Sequence, residues 1–336
     1  MDEPILRLHE VSKGFPVRSD GRLRRRGERV HAVVRVSGAV DAGETLGIVG
    51  ESGCGKSTLA RLIVQLLRPD SGQISYRGRD LSTLEPQERR GIQMVFQDPY
   101  LSLNPRMTIG DAIAEPLRVY RLVPRNGISN EIDRLLEQVG LSASVGQRYP
   151  FELSGGQRQR AAIARALAVR PEILIADEAV SSLDVSIQAQ VLNLLADLRD
   201  ALSLTLIMIS HDLGVIEYLC DRVGVMYLGH LVEWGRGADI FSRSGHPYTR
   251  GLLESIPSLD PADRAIESPI YGELPSAINP PEGCVFRTRC RLAWSECATS
   301  TPPPVFLEQQ HWAECLVAEA VARDWQGERE AASRQP

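Results

Sequence analysis

The sequence predicts an α/β protein built around a parallel sheet, followed by a small, irregular C-terminal extension. Three observations lead there. Short β-rich runs alternate with helical periodicity up to about residue 255. A glycine-rich turn joins an early apolar run to an amphipathic helix, and prolines and cysteines crowd the residues beyond 256.

Taken in order, Thr45-Leu46-Gly47-Ile48-Val49 is apolar enough to be a strand buried on both faces. After the glycine-rich turn, Leu59, Leu62, Ile63, Leu66 and Leu67 recur at helical spacing, and Pro69 closes that helix. Ile92 to Phe96 is a second short strand. Residues 105–170 read as mostly helical, with interruptions at Pro116 and Pro124. Ile173 to Ala176 and Leu204 to Ile209 are continuous apolar strands, and Val223 to Val232 is a hairpin turning near Gly229-His230. Prolines at 257, 261, 269, 275, 280, 281, 302, 303 and 304 then preclude long regular elements. A boundary near residue 260 separates a core of residues 1–260, with a helical subdomain at about 98–168, from an extension over 261–325. The polar residues 326–336 are expected to fray.

Composition narrows the class. At 336 residues the chain exceeds the roughly 100–200 residues of one average domain. Apolar and charged fractions of 43% and 24% are those of a folded globular protein, and a net charge of −5 offers no basic face for nucleic acid. No apolar run approaches the ~18–20 residues that span a bilayer. The start, Met1-Asp2-Glu3-Pro4, lacks a secretory signal, so a cytosolic chain is expected. Among 38 basic residues only Lys13 and Lys56 are lysine. Coding bias toward arginine accounts for the surface, and a lysine kept against it invites the question of why a guanidinium fork would not serve there.

Lys56 lies in Gly50-Glu51-Ser52-Gly53-Cys54-Gly55-Lys56-Ser57, which fits the P-loop pattern and is followed by Thr58. The glycines let backbone N–H groups face phosphate oxygens, and the following helix N-terminus adds partial positive charge. Lys56 would reach the β- and γ-phosphates, and the Ser57 hydroxyl would ligate Mg²⁺. Asp177, at the end of an apolar strand, is placed for a Mg²⁺ carboxylate, and Glu178 for the general base on water. Cys54 reads as a small filler, reactive toward alkylation only as an exposed thiolate. Cys220 is isolated, whereas Cys284, Cys290, Cys297 and Cys315 share one late segment. In a reducing compartment such a group reads as a metal or redox site before it reads as disulfides.

Leu153-Ser154-Gly155-Gly156-Gln157 is the string at which the chain resembles the ATP-binding-cassette family, whose signature is LSGGQ. The resemblance continues over residues 1 to about 255. Gln97 matches the Q-loop glutamine, Ser181-Ser182-Leu183-Asp184 the D-loop, His211 the switch histidine, and Phe15 the aromatic that stacks on adenine. It implies a RecA-like core with a helical subdomain, binding ATP and Mg²⁺, the latter through Ser57, Gln97 and Asp177. It implies a head-to-tail dimer in which Ser154 and the Gly155 and Gly156 amides of one copy meet the γ-phosphate held by the other, with Gln157 and Asp184 beside them. Glu178, His211, Lys56 and Gln97 are then the catalytic set. Residue 179 is alanine where most members carry proline, which loosens the turn after Glu178.

Residues Gln97 to Thr108, His246-Pro247-Tyr248-Thr249, Gly272 to Ser276 and Asn279 to Cys284 further resemble the ATPase subunits of bacterial oligopeptide and dipeptide importers, a group that includes nickel importers. That resemblance implies separate permease subunits, an extracytoplasmic binding protein, a second identical or paralogous cassette, and a peripheral position on the cytoplasmic face of the membrane. It also implies a [4Fe–4S] cluster on Cys284, Cys290, Cys297 and Cys315. Zinc, with His311 as a substitute ligand, and four free thiols are the alternatives. The run Arg22, Arg24, Arg25, Arg26 and Arg29 is a solvated loop or a contact for anionic lipid headgroups. The competing class is a soluble cassette ATPase acting on DNA, ribosomes or iron–sulfur assembly. Against it stand the single cassette, the acidic balance and the absence of coiled-coil heptads.

Overall fold

A computed structural model describes residues 3–17, 28–98, 102–181, 183–255 and 270–332. Arg22, Arg24, Arg25, Arg26, the Pro99-Tyr100-Leu101 part of the importer-like run, Ser182 and the boundary near residue 260 lie outside them.

The chain opens with two long strands, β1 (Leu6–Pro16) and β2 (Arg29–Val40), then β3 (Thr45–Val49) and helix α1 (Lys56–Ile63). Strands β4 (Ser71–Tyr76) and β5 (Arg79–Asp80), helix α2 (Pro86–Arg89) and β6 (Ile92–Val95) follow. A helical stretch holds α3 (Ile109–Val119), α4 (Ile128–Gln138) and α5 (Gly155–Leu167). Next come β7 (Ile173–Asp177), α6 (Val185–Leu202), β8 (Thr205–Ser210), α7 (Leu213–Leu219), and the strands β9 (Arg222–Tyr227) and β10 (His230–Arg236). Helices α8 (Gly237–Arg243) and α9 (Pro247–Glu254) lead to the extension, with α10 (Glu296–Thr299), β11 (Val305–Glu308), β12 (His311–Ala313) and α11 (Ala318–Ala332).

The strands form two sheets. One is four-stranded and antiparallel, in the order β2-β1-β4-β5; the other is eight-stranded, in the order β11-β12-β10-β9-β3-β8-β7-β6. Within the second, β9, β3, β8, β7 and β6 run parallel, so the C-terminal ends of β3, β8, β7 and β6 share one edge. Ligands of open α/β sheets bind at that edge. Every residue of β3, β7 and β8 is buried, which explains why these strands read as unbroken apolar runs. One apolar cluster packs Leu46, Ile48 and Leu59 of the core against the antiparallel sheet. A second joins Ala176, Leu206 and Met208 to the helical stretch through Ile163 and Ile113.

Three local expectations are corrected. Helix α1 stops at Ile63 because Gln65 adopts φ +58, ahead of Pro69, and Leu66 is left exposed. Pro116 lies inside α3 instead of breaking it: the helix forgoes one N–H bond and keeps Ala112, Ile113 and Leu117 buried. The extension is more regular than its prolines implied. β12 pairs with β10 and extends the main sheet, and α11 carries helical backbone into the tail expected to fray. No proline falls between 305 and 332, so nothing forbids these elements. Among the described residues no helix is long and apolar enough to cross a membrane.

Candidate functional site

The loop between β3 and α1 is shaped by three glycines at positive φ, Gly50 (+148), Gly53 (+81) and Gly55 (+112). Gly50 and Gly55 have no room for a side chain. A Cβ on Gly50 would lie 2.2 Å from the Met226 carbonyl oxygen, and one on Gly55 2.0 Å from that of Ala32 in β2. The loop is thus pinned between β9 and the antiparallel sheet. Helix α1 begins on Gly55 with no side-chain cap, so its first N–H groups have no acceptor of that kind. Ser52 and Gly53 are exposed, and Ser57 and Thr58 half-buried.

Lys56 is buried, and its ammonium donates to the carbonyls of Gly50 (2.7 Å) and Glu51 (3.0 Å). A planar guanidinium fork would not fit that compact cage. Cys54 is fully buried and its thiol is pushed up, chiefly by burial, so it is the filler expected and no reactive thiolate.

The strand ends supply the rest. Ser57 donates to Asp177 Oδ1 at 2.9 Å across the end of β7. Burial, the largest cause, raises the Asp177 pKa; neighbouring Glu178 adds to it, and Ser57, Arg61 and Lys56 oppose it. A hydroxyl and a desolvated carboxylate side by side are hard oxygen donors of the kind Mg²⁺ selects, so the residues fit that ion. Glu178 follows in a left-handed conformation, φ +47, stored strain of order 1–2 kcal/mol in a residue with a Cβ. Despite alanine at 179 the turn is closed: the Ser181 N–H and hydroxyl both donate to the Glu178 carbonyl, at 3.1 and 3.0 Å. The Glu178 carboxylate accepts from Gln97 Nε2 at 3.0 Å and lies 3.6 Å from His211 Nδ1. Gln97 follows β6 and His211 follows β8, so three strand ends converge on one carboxylate.

The remaining motif residues lie apart. Ser154 caps α5, accepting from the Gln157 N–H while Gln157 Oε1 accepts from the Ser154 N–H. Gly155 and Gly156 open that helix, and a Cβ on Gly156 would meet Ile187 Cγ2 at 2.5 Å. Asp184 is exposed at the start of α6 and caps it only through its carbonyl. Among the described residues no hydrogen bond or ion pair joins Ser154, Gly155, Gly156, Gln157 or Asp184 to the P-loop. Phe15 is half-buried on β1 opposite Val30, with the Lys13 ammonium 5.9 Å from its ring.

Residues 33–181 match the description of the ABC transporter family, and residues 232–297 that of the oligopeptide/dipeptide transporter C-terminal region. A probable peptide ABC transporter ATP-binding protein of Sinorhizobium fredii is 48% identical over 91% of this chain and 87% of its own length. The protein belongs to the ABC transporter family. The oligopeptide transport ATP-binding protein AppF of Bacillus subtilis is 47% identical, over 93% of this chain and 97% of its own. Among solved structures, cbiO1 from Clostridium perfringens, part of an ABC transporter complex, aligns with TM-score 0.61 and 27% identity over 71% of this chain and 91% of its own. The ADP- and phosphate-bound dimer of the cassette MJ0796, in a post-hydrolysis state, aligns with TM-score 0.60 and 26% identity over 69% and 98%. This ABC protein is accordingly an ATPase.

The four late cysteines of this ABC ATPase are free thiols. The Cys284 N–H donates to the Cys297 carbonyl at 2.8 Å. Burial, reinforced by the other three sulfurs, raises Cys315 to about 12, and burial with Cys284 and Cys297 raises Cys290 to about 11. Among the described residues, however, no three His, Cys, Asp or Glu side chains are arranged to hold a metal ion. His311 is instead consumed in a buried pair, its Nε2 2.8 Å from Glu233 Oε1. The arrangement as it stands does not support the expected iron–sulfur or zinc site.

Sequence reading missed the contacts of three residues: Ser181, which closes the Glu178 turn, and Tyr248 and Arg289, which grip Glu51 of the nucleotide loop. Tyr248 and Ser181 lie within strings that carry the family resemblance. Arg289 sits beside Cys290, one arginine among many.

Proposed function

We propose that this chain is the ATP-hydrolysing subunit of a peptide importer. Its nucleotide site would comprise Phe15, the loop from Gly50 to Thr58, Gln97, Asp177, Glu178 and His211, completed by Ser154, Gly155, Gly156, Gln157 and Asp184 of a facing cassette. One observation carries the reading: the phosphate loop and the catalytic carboxylate share one sheet edge, while among the described residues the signature helix start has no bond to either in the same chain. A site divided in this way becomes complete when two copies, identical or paralogous, face each other.

In that dimer the P-loop amides and Lys56 hold the phosphates, and Ser57, Asp177 and Gln97 would hold Mg²⁺, which supplies positive charge to the phosphate oxygens. Glu178 accepts a proton from water as its oxygen bonds the γ-phosphorus, and the bond to the β–γ bridging oxygen breaks, releasing ADP and phosphate. Gln97 and His211, both already against Glu178, hold the base and water in line. Loss of the γ-phosphate removes the contact with the facing signature, and the dimer opens. Separate permease subunits at the cytoplasmic face of the membrane would convert that opening into import of peptides delivered by an extracytoplasmic binding protein.

The direct test is Glu178→Gln. Its turnover falls about 10²-fold or more while ATP binding persists, and light scattering shows an ATP-dependent dimer. Turnover like that of the parent chain removes Glu178 from the mechanism. Permeases that co-purify from solubilised membranes should raise ATP turnover when peptide-loaded binding protein is added. Stimulation by nickel alone moves the chain to the metal-importing branch.

The extension carries the finer part of the proposal. Four cysteines offer the soft donors an iron–sulfur cluster or, second, zinc would take, but as placed they form no metal-holding group among the described residues. Iron, sulfide and zinc assays on anaerobically purified protein decide this. Metal-free protein of ordinary stability returns the four cysteines to packing.

A further inference from the structure

The C-terminal extension reaches back and grips the phosphate loop. Arg289 presents its guanidinium as a fork to Glu51, the second residue of that loop: Nη1 lies 2.6 Å from Oε2 and Nη2 2.9 Å from Oε1. The partners are 238 positions apart in sequence. The Arg289 side chain is only 6% exposed, its Nε donates to the Tyr271 carbonyl at 3.0 Å, and its guanidinium lies 5.8 Å from the Tyr227 ring centre. All three guanidinium nitrogens are therefore engaged. A buried fork of this kind fixes geometry as well as charge, because turning away would leave a desolvated cation without partners.

Residue 51 is held at two further points. Its N–H donates to the Tyr248 hydroxyl at 2.8 Å, and its carbonyl accepts from the Lys56 ammonium at 3.0 Å. The rings of Tyr227, Tyr248 and Phe286 pack on one another between α9 and the extension. One residue of the loop is thus anchored by the extension, by α9 and by the lysine meant for phosphate. A staple needed only to keep the extension attached could lie anywhere along the sheet. This one ends on the loop whose backbone amides must be aimed before ATP arrives.

We propose that Arg289 is a positioning residue for ATP capture: by holding the Glu51 carboxylate it sets the backbone of the P-loop, and the extension is thereby a working part of the nucleotide site. The inference rests on the nucleotide site proposed above. Aim of the amides governs how well ATP is held, whereas Glu178 and His211 lie on other strand ends. The effect should fall on KM more than on kcat.

The test uses the full chain, with steady-state MgATP hydrolysis, equilibrium binding of a fluorescent ATP analogue, and thermal melting. Arg289→Ala and Glu51→Gln are each expected to raise KM for ATP about tenfold with kcat within about threefold of the parent. The double variant should be no worse than the weaker single, since both remove one contact. Arg289→Lys, which keeps charge and loses the fork, should fall between. If Arg289→Ala does not fold, Glu51→Gln and Arg289→Lys carry the test. Unchanged KM in those two overturns the inference, whether or not the melting temperature drops, because only a structural role would remain. Lys56→Ala, run alongside, separates the two layers. If it loses ATP binding while the Arg289 and Glu51 variants keep theirs, the Arg289 assignment alone fails. If it binds ATP like the parent, the nucleotide site and this inference fall together.

Discussion

The glycine-rich starts of α1 and α5 are finished in opposite ways. At α1 the cap is Gly55, with φ +112, no side-chain bond and no acidic residue in the first turn. At α5 the cap is Ser154, which accepts from the Gln157 N–H and donates its own N–H to Gln157 Oε1. Every helix start carries about four N–H groups without intrahelical partners. The first start leaves them for an outside anion and adds a buried ammonium beside them; the second satisfies one internally and exposes a hydroxyl. On the proposed function, the P-loop start would hold phosphate by itself, and the signature start would add contacts only when another copy brings phosphate to it. In that proposal affinity would belong to the first half-site, and closure of the dimer to the second.

The largest expected effect tests the first half. Lys56→Ala removes the only side-chain cation of the loop and should weaken ATP binding about 10²-fold or more, since charge-assisted contacts to several phosphate oxygens go at once. Turnover disappears with it, and no ATP-dependent dimer forms. Isothermal titration against a non-hydrolysable analogue reads this directly. Parent-like affinity would erase the distinction between the two starts.

A smaller and differently shaped effect is expected at the second half. Ser154→Ala loses a helix cap worth about 1 kcal/mol and the hydroxyl offered to the facing copy. Turnover should fall about tenfold, while ATP affinity measured in dilute, monomeric protein stays within about twofold. If monomer affinity falls as far as it does in Lys56→Ala, the signature already takes part in the isolated copy, and the assignment of closure to α5 is wrong.

The same contrast governs what the sequence disclosed. Both starts were legible as motifs, the P-loop pattern and the LSGGQ string, each written in adjacent residues, while the Ser154–Gln157 capping box emerged only in the structure. So were β3, β7 and β8, whose burial on both faces forces unbroken apolar runs. What escaped was long-range or conformational. The Arg289–Glu51 fork joins residues 238 apart, and in an arginine-rich chain one more arginine carries no signal. The left-handed Glu178 and its Ser181 closure depend on a turn that the strand pattern cannot specify. Helix α11 escaped for a local reason: proline disrupts a helix only where it sits within one, and the last proline before α11 is at 304.

The smallest effect sharpens the comparison through pH. His246 is buried, its Nδ1 accepts the Tyr248 N–H, and Tyr248 in turn accepts from Glu51, so it stands two residues behind the P-loop. Burial holds the His246 pKa down to about 3, and burial with Arg35 and His31 holds His230 down to about 4, from an ordinary value of 6.5. Both remain neutral in the folded chain while the unfolded chain takes up protons below 6.5. Their contribution is complete above that pH and is lost progressively as pH falls toward 3–4. The loss amounts to about 1 kcal/mol per histidine by pH 6. Residues 98–168, which carry the signature, contain no histidine. Hydrogen exchange corrected for intrinsic rate should therefore show the P-loop, α9 and β10 losing protection between pH 8 and 6 before α5 does. His246→Gln should lower stability at pH 8, through lost packing, yet flatten the fall toward pH 6. Equal loss at α5 would mean that the two half-sites unfold as one unit, and their separate roles would then have to arise only from the chemistry of their caps.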